Sequence, residues 1–305
     1  KPMKRLWISS MEDSAIREGF AHLRPGADYD GLHQAALCRA KADWLVGINA
    51  TRLFSVLYHR TLNIGRVMSP TLALIVQREA EIDAFKPVPF YSVALDLPSF
   101  TAASTRMDKK ADAEQLKTAC QGGTVTVKQI ECKAKTEKPP ALYDLTTLQR
   151  DANRLLGFTA QQTLDYLQNL YEKKLCTYPR TDSRYLTSDM AEGLPVLVNL
   201  VANAMPFRKG IAISCDVATV INDKKVTDHH AVIPTRNIRE ADLTALPVGE
   251  RAILELVALR LLCAVAQPYT FAETAVVVEC AGAEFTAKGR TVKQPGWRAL
   301  DAAYR

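Results

Sequence analysis

A chain of 305 residues, 48% of them hydrophobic, has material for two or three domains with real cores, and its lack of low-complexity stretches argues against disorder. A net charge of +6 is a mild basic excess, compatible with a polyanionic partner and equally with an ordinary enzyme. Seven scattered cysteines with no Cys-x-x-Cys pair speak against a zinc ribbon or a disulfide framework and fit a reducing cytoplasm.

In chain order, 10–23 reads as a helix capped by Ser10 or Asp13, with Ala15, Ile16, Phe20 and Leu23 at helical spacing. A long helix is expected over 29–62, with Leu37, Trp44, Leu45, Ile48, Leu53 and Leu57 inward. A third opens with Ser69 as N-cap and Pro70 at its first position. At "KPVPFYSVALDL" and again at "GGTVTVKQIECKAKTE" the apolar period changes to two, a strand signal, and Pro139 and Pro140 mark a boundary. Two helices are expected from Asp144 to about Lys174, broken at Gly157 and restarted by Thr159. Helical periodicity then dominates from Asp189 to Ala266. Its longest apolar run, from Ala252, carries Glu255 and Arg260 and reads as a buried helix, not a membrane span. "TFAETAVVVECAGAEFTAKGRTV" returns to strands with a turn at Ala281 to Ala283, and the last ten residues start another helix.

The expected class is therefore α+β and multidomain, with an antiparallel β domain interrupted by a helical insertion. The boundaries read as a helical part over 1–86, β over 87–140, the helical insertion over 141–266, β again over 267–295, and a returning helix from 296.

Four stretches carry chemistry. In "KKLCTYPRTDSRYL" (173–186), Pro179 disfavours the helical conformation at Tyr178 and so exposes its hydroxyl just past a helix end. Lys173, Lys174, Arg180 and Arg184 surround it with positive charge, which favours phenolate and holds phosphate. A capped turn with a packed tyrosine and solvated arginines explains the same residues. In "VTDHHAVIPT" (226–235), the adjacent His229 and His230 point to opposite sides of an extended chain, so they do not clamp a metal together. One imidazole could bind phosphate or protonate a leaving oxygen; one packed and one exposed histidine is the plainer account. Arg39 and Asp43 have the spacing of an intrahelical ion pair that would aim Arg39 at a phosphate or merely sit on the surface. Gly65, Arg66 and Ser69 enter a helix N-terminus, a seat for an anion.

Together and in this order the stretches resemble the type IA DNA topoisomerases, over roughly residues 3 to 298. "TYPRTDSRYL" is similar to the family's active-site tyrosine motif and "DHHAVIPT" to its histidine motif. The proline after the tyrosine and the paired histidines look closer to the topoisomerase III branch. The resemblance implies a nucleophilic Tyr178 that becomes joined to the 5′ phosphate of a cut strand, an Arg180 that steadies that phosphate, and His229 beside the scissile bond. It also implies contacts to single-stranded DNA from Arg39, Asp43, Ser183, Arg184 and His230, with no role for Gly65, Arg66 and Ser69. The family's Mg²⁺ is held by an N-terminal metal-binding (Toprim) domain with a glutamate and an Asp-x-Asp pair. No Asp-x-Asp-x-Glu occurs here, so the chain reads as an internal fragment that carries the nucleophile without the metal ligands. A bacterial-type, cytoplasmic, nucleoid-associated enzyme without a membrane segment is expected.

The alternative class is a non-catalytic single-stranded nucleic-acid-binding module in which Tyr178 stacks a base. A relaxase or tyrosine recombinase fits poorly: relaxases separate their histidines by one residue, and recombinases place the tyrosine after the histidines. The chain alone is expected to bind single-stranded DNA weakly and leave supercoiled plasmid unrelaxed. A relaxation assay with Mg²⁺ is the check, and relaxation would contradict the fragment reading.

Overall fold

The computed structural model describes residues 3–8, 13–208, 210–226 and 228–305. The chain divides into two units, Lys1–Trp7 with Phe20–Tyr91, and Ile8–Gly19 with Ser92–Arg305.

In the first unit, β1 (Lys4–Arg5) pairs antiparallel with β2 (Arg24–Pro25); helix α1 (Asp13–Ala21), between them in sequence, falls mostly in the second unit. The expected cap Ser10 lies outside the described residues, and Asp13 is already helical. Helix α2 (Asp30–Leu57) is followed by a connection and by α3 (Met68–Asp83). That connection runs back along one face of α2. Leu62 N–H donates to Ser55 Oγ at 2.9 Å, Ile64 N–H to Thr51 Oγ1 at 3.0 Å, and Arg66 Nε to Asp43 Oδ1 at 2.6 Å. Asp43, Thr51 and Ser55 lie four or eight residues apart, so one i+4 row of short polar side chains receives the extended strand. The expected Arg39–Asp43 pair is therefore replaced by Asp43–Arg66.

Helix α3 begins at Met68 with Val67 as N-cap. Ser69 is inside the helix, its Oγ accepting from Gly65 N at 3.2 Å, and Pro70 occupies the first turn, where no backbone donor is needed. Neither α2 nor α3 has a buried residue; Trp44, Leu45, Leu53, Leu72 and Ile75, expected inward in the α2 cases, are exposed.

The second unit is an antiparallel sheet plus a helical body. Strands β3 (Ala94–Asp96), β4 (Thr101–Ser104), β5 (Thr126–Glu137), β6 (Tyr269–Cys280) and β7 (Ala283–Gln294) pair in the order β3-β4-β7-β6-β5, with α4 (Lys110–Cys120) between β4 and β5. The β6–β7 turn is Ala281-Gly282, both at positive φ (50° and 77°), the two-residue geometry that matches strand twist. Ala102, Val278, Cys280 and Phe285 are buried near this turn. Farther along, β5 is exposed almost throughout, so Val127 and Ile130, whose alternation announced the strand, face solvent.

The helical body contains α5 (Leu145–Leu156), α6 (Ala160–Glu172), α7 (Leu194–Ala204) and α8 (Val248–Ala264), closed by α9 (Arg298–Tyr304). Asp144 and Thr159 cap α5 and α6 through reciprocal capping boxes with Thr147 and Gln162, and Gly157 (φ 72°) ends α5 in the left-handed conformation. Helix α8 is apolar all round and buried from Ile253 to Ala264 except at Glu255 and Arg260, which are partly buried; the other helices pack around it. No described helix is long and apolar enough to cross a membrane. Between α7 and α8 the expected helix is absent among the described residues. Short 3₁₀ turns and extended pieces stand there, and backbone groups at 220–222 and 231–235 bond to other segments.

Sheet and helical body meet where the chain crosses between them. Arg298 grips Glu137 with two nitrogens, Trp297 Nε1 donates to Glu137 O at 3.3 Å, and Trp297 N to Gln267 O at 2.9 Å. Gly296 turns this corner at φ 47°, and a Cβ there would collide with the carbonyl oxygens of Gln267 and Pro268. Gly296→Ala is expected to destabilise the fold by about 3 kcal/mol through strain and clash, read as a lower midpoint in urea unfolding.

Candidate active site

The tyrosine segment begins where α6 stops. Lys174 adopts φ 58°, unusual for a side-chain-bearing residue, and is held there from both sides. Its N–H donates to Tyr171 O at 2.8 Å, and its carbonyl accepts from Thr235 Oγ1 and from Asn237 Nδ2. Lys173 does not face the tyrosine as a free cation: its ammonium pairs with the buried Glu250 of α8, which also accepts from Asn169.

From here the tyrosine and histidine segments are joined like strands. Thr235 N donates to Leu175 O at 2.9 Å and Thr177 N to Ile233 O at 3.0 Å. The Thr177 hydroxyl, buried, donates to Ala231 O at 3.1 Å and accepts from Ile233 N at 3.0 Å, doing the work of a peptide unit. Beyond Pro179, the Thr181 hydroxyl donates to His229 O at 3.0 Å and accepts from Ser183 N at 3.1 Å. Ala231 N then donates to Tyr185 O at 2.9 Å, and Val232 N to Tyr143 O at 2.8 Å. Each of these buried groups is satisfied, which is what fixes two loops 50 residues apart in one register.

Tyr178 sits at the centre, partly exposed and outside any helix, as the following proline requires. Its ring lies between two others: His229 at 4.3 Å between centroids, tilted by 37°, and Tyr171 of α6 edge-on at 5.5 Å. These contacts fix the ring while the hydroxyl has no hydrogen-bond partner among the described residues. His229 lies against the phenol ring without a hydrogen bond to its oxygen, and its Nδ1 is buried and unpartnered. Arg180 is exposed, two residues after the tyrosine, with no ion pair among the described residues.

The adjacent histidines do diverge. His230 is 3% exposed, and its Nδ1 lies 2.8 Å from Ala231 O, which makes Nδ1 the protonated nitrogen and Nε2 a buried, unpartnered acceptor. Burial holds its pKa below the usual value of 6.5, against the Ala231 carbonyl and Asp189, which favour the charged form, and with His229, which opposes it.

Two expected DNA contacts are thus redirected. His230 is interior, and Ser183 is buried with its hydroxyl donating to Lys225 O at 2.9 Å, so both side chains build the loop. Arg184 is partly buried and donates from Nε to Leu142 O at 3.1 Å. Arg39 and Asp43 lie on α2 of the other unit, Arg39 exposed. The residues that sequence reasoning passed over are Tyr171, Thr177 and Glu250. Only the hydroxyls flanking Tyr-Pro gave a signal, as short polar side chains able to bond the backbone. Among the described residues no group of three or more His, Cys, Asp or Glu could hold a metal ion.

A family model described as DNA topoisomerase matches residues 27–305. The chain belongs to this family, and its motifs place it with the type IA enzymes. It is 43% identical to DNA topoisomerase 3 of Bacillus subtilis over 98% of this chain and 43% of that protein, and 40% identical to DNA topoisomerase 3 of Shouchella clausii over 98% and 42%. The fold superposes on full-length topoisomerase I from Thermotoga maritima with a TM-score of 0.77 at 25% identity, covering 97% of this chain and 50% of that one. The chain spans less than half the length of these curated relatives.

The lowered His230 pKa gives stability a pH dependence of definite sign. Below 6.5 the unfolded chain takes up a proton that the folded state refuses, so this contribution is complete above 6.5 and lost as pH falls below it. Urea unfolding across that range is expected to show stability dropping toward acid, with a flatter dependence in His230→Asn.

Proposed function

We propose that this chain carries the strand-cleaving tyrosine of a type IA topoisomerase that breaks and rejoins one DNA strand, changing supercoiling or unlinking DNA. The observation that carries the reading is Tyr178 itself: a ring wedged between Tyr171 and His229, an unpartnered hydroxyl, and an exposed Arg180 two residues on. The Tyr178 hydroxyl gives up its proton as its oxygen attacks the scissile phosphorus, the bond to the 3′ oxygen breaks, and that oxygen takes a proton and leaves as a 3′ hydroxyl. The product is a 5′-phosphotyrosine, and the reverse attack reseals the strand. Arg180 balances charge on the transferring phosphoryl group. His229 holds the phenol ring in place. Arg184 and Arg39 contribute contacts to the single strand.

Mg²⁺, if bound in the whole protein, supplies phosphate charge neutralisation from ligands that belong to other residues than these. The reading places the protein in the bacterial cytoplasm on the nucleoid.

The test joins this chain, in cis or in trans, to a type IA metal-binding domain, with Mg²⁺ and a labelled single strand. A covalent adduct at the 5′ side of the break is expected, lost in Tyr178→Phe and reduced by more than about tenfold in Arg180→Ala. An adduct that persists in Tyr178→Phe overturns the assignment. Unchanged strand binding with no adduct under any condition favours the non-catalytic binding module, in which the ring stacks a base.

A further inference from the structure

The sheet's far end brings two thiols together. Helix α4 ends at Cys120, and the chain turns through Gly122 (φ 69°) and Gly123 to enter β5 opposite the end of β6, which is Cys280. Cys120 Sγ lies 3.8 Å from Cys280 O, and Cys280 Sγ 4.0 Å from Cys120 O. Gly123 leaves room for Cys280 Sγ, which would sit 3.4 Å from a Cβ there. Cys280 is 1% exposed, while Cys120 is partly exposed and reachable by a small reagent. No other two cysteines make such a contact among the described residues.

We propose that Cys120 and Cys280 form a dithiol modification site that a disulfide oxidant such as oxidised glutathione converts to an intramolecular disulfide. The Cys120 thiol loses its proton and attacks one sulfur of the oxidant, forming a mixed disulfide and releasing one reduced glutathione. Cys280 loses its proton and attacks the Cys120 sulfur, forming the Cys120–Cys280 bond and releasing the second. Two thiol protons and two electrons leave the protein, and one oxidant molecule is reduced to two thiols. Burial first, then the Cys280 hydrogen bond and charge, hold Cys120 in its thiol form, so the first attack is slow and the neighbouring sulfur makes the second fast. The cross-link would join residues 160 apart and enclose helices α5 to α8 with Tyr178, a loop long enough to restrict the unfolded chain strongly.

The purified chain is treated with oxidised glutathione and its peptides mapped by mass spectrometry without reduction. A linked Cys120–Cys280 peptide, short of two hydrogens, is expected, with a melting temperature raised by several degrees. Both effects should reverse with dithiothreitol and be absent in Cys120→Ser and Cys120→Ala, two variants that guard against a folding artefact. Recovery of both residues as free thiols, or of Cys120 as a stable glutathione adduct in a chain with native circular dichroism, overturns the proposal.

Discussion

The hydrogen-bonded lacing of residues 175–185 to 229–235 is the constraint from which the candidate site follows. Two threonine hydroxyls, Thr177 and Thr181, complete a ladder that neither segment could form alone, and both are buried, so breaking one leaves an unsatisfied peptide group at a cost of roughly 1–3 kcal/mol. The lacing sets His229 against Tyr178 and turns His230 the other way. It also accounts for the extended backbone of 229–235, whose amides and carbonyls serve a neighbouring segment and are not free to close helical turns.

The ladder in turn stands on the helical body. Tyr143, whose carbonyl receives Val232, is pinned through its hydroxyl to Asp151, and Arg260 of the buried helix α8 covers its ring at 4.0 Å while pairing with Asp151. Burial raises the pKa of Asp151, but hydrogen bonds from Arg154 and Tyr143 and the charge of Arg260 outweigh it and hold the carboxyl below its usual range. A charge inside an apolar helix is tolerable only with such partners, and removing one would strand the rest. Glu250, near the other end of the same helix, fixes Asn169 and Lys173 at the end of α6, and so positions Tyr171 and the exit toward Tyr178. One buried helix thus holds both sides of the site.

The local signals in the sequence were reliable where a short-range rule governs. Asp144, Gly157 and Thr159 mark helix ends because capping depends on a few neighbouring residues, and Ala281-Gly282 marks the hairpin because a two-residue turn demands positive φ. Pro179 predicted a non-helical Tyr178 for the same reason. Rules that need a partner failed. Alternation in β5 announced a strand, but nothing in it said that the strand would stand open, and the spacing of Arg39 and Asp43 could not show that Arg66 competes for the carboxylate.

The sequence by itself determined most of the element types, the order of the motifs and, through that order, the family and Tyr178 and Arg180 as the residues to watch. These depend on residue type and spacing, which are written in one dimension. Tertiary structure alone decided which hydroxyls, cations and imidazoles remain available. It withdrew Lys173 into Glu250, Ser183 and His230 into the interior, and left Tyr178 between two rings, because the availability of a polar group depends on what else lies within hydrogen-bonding distance.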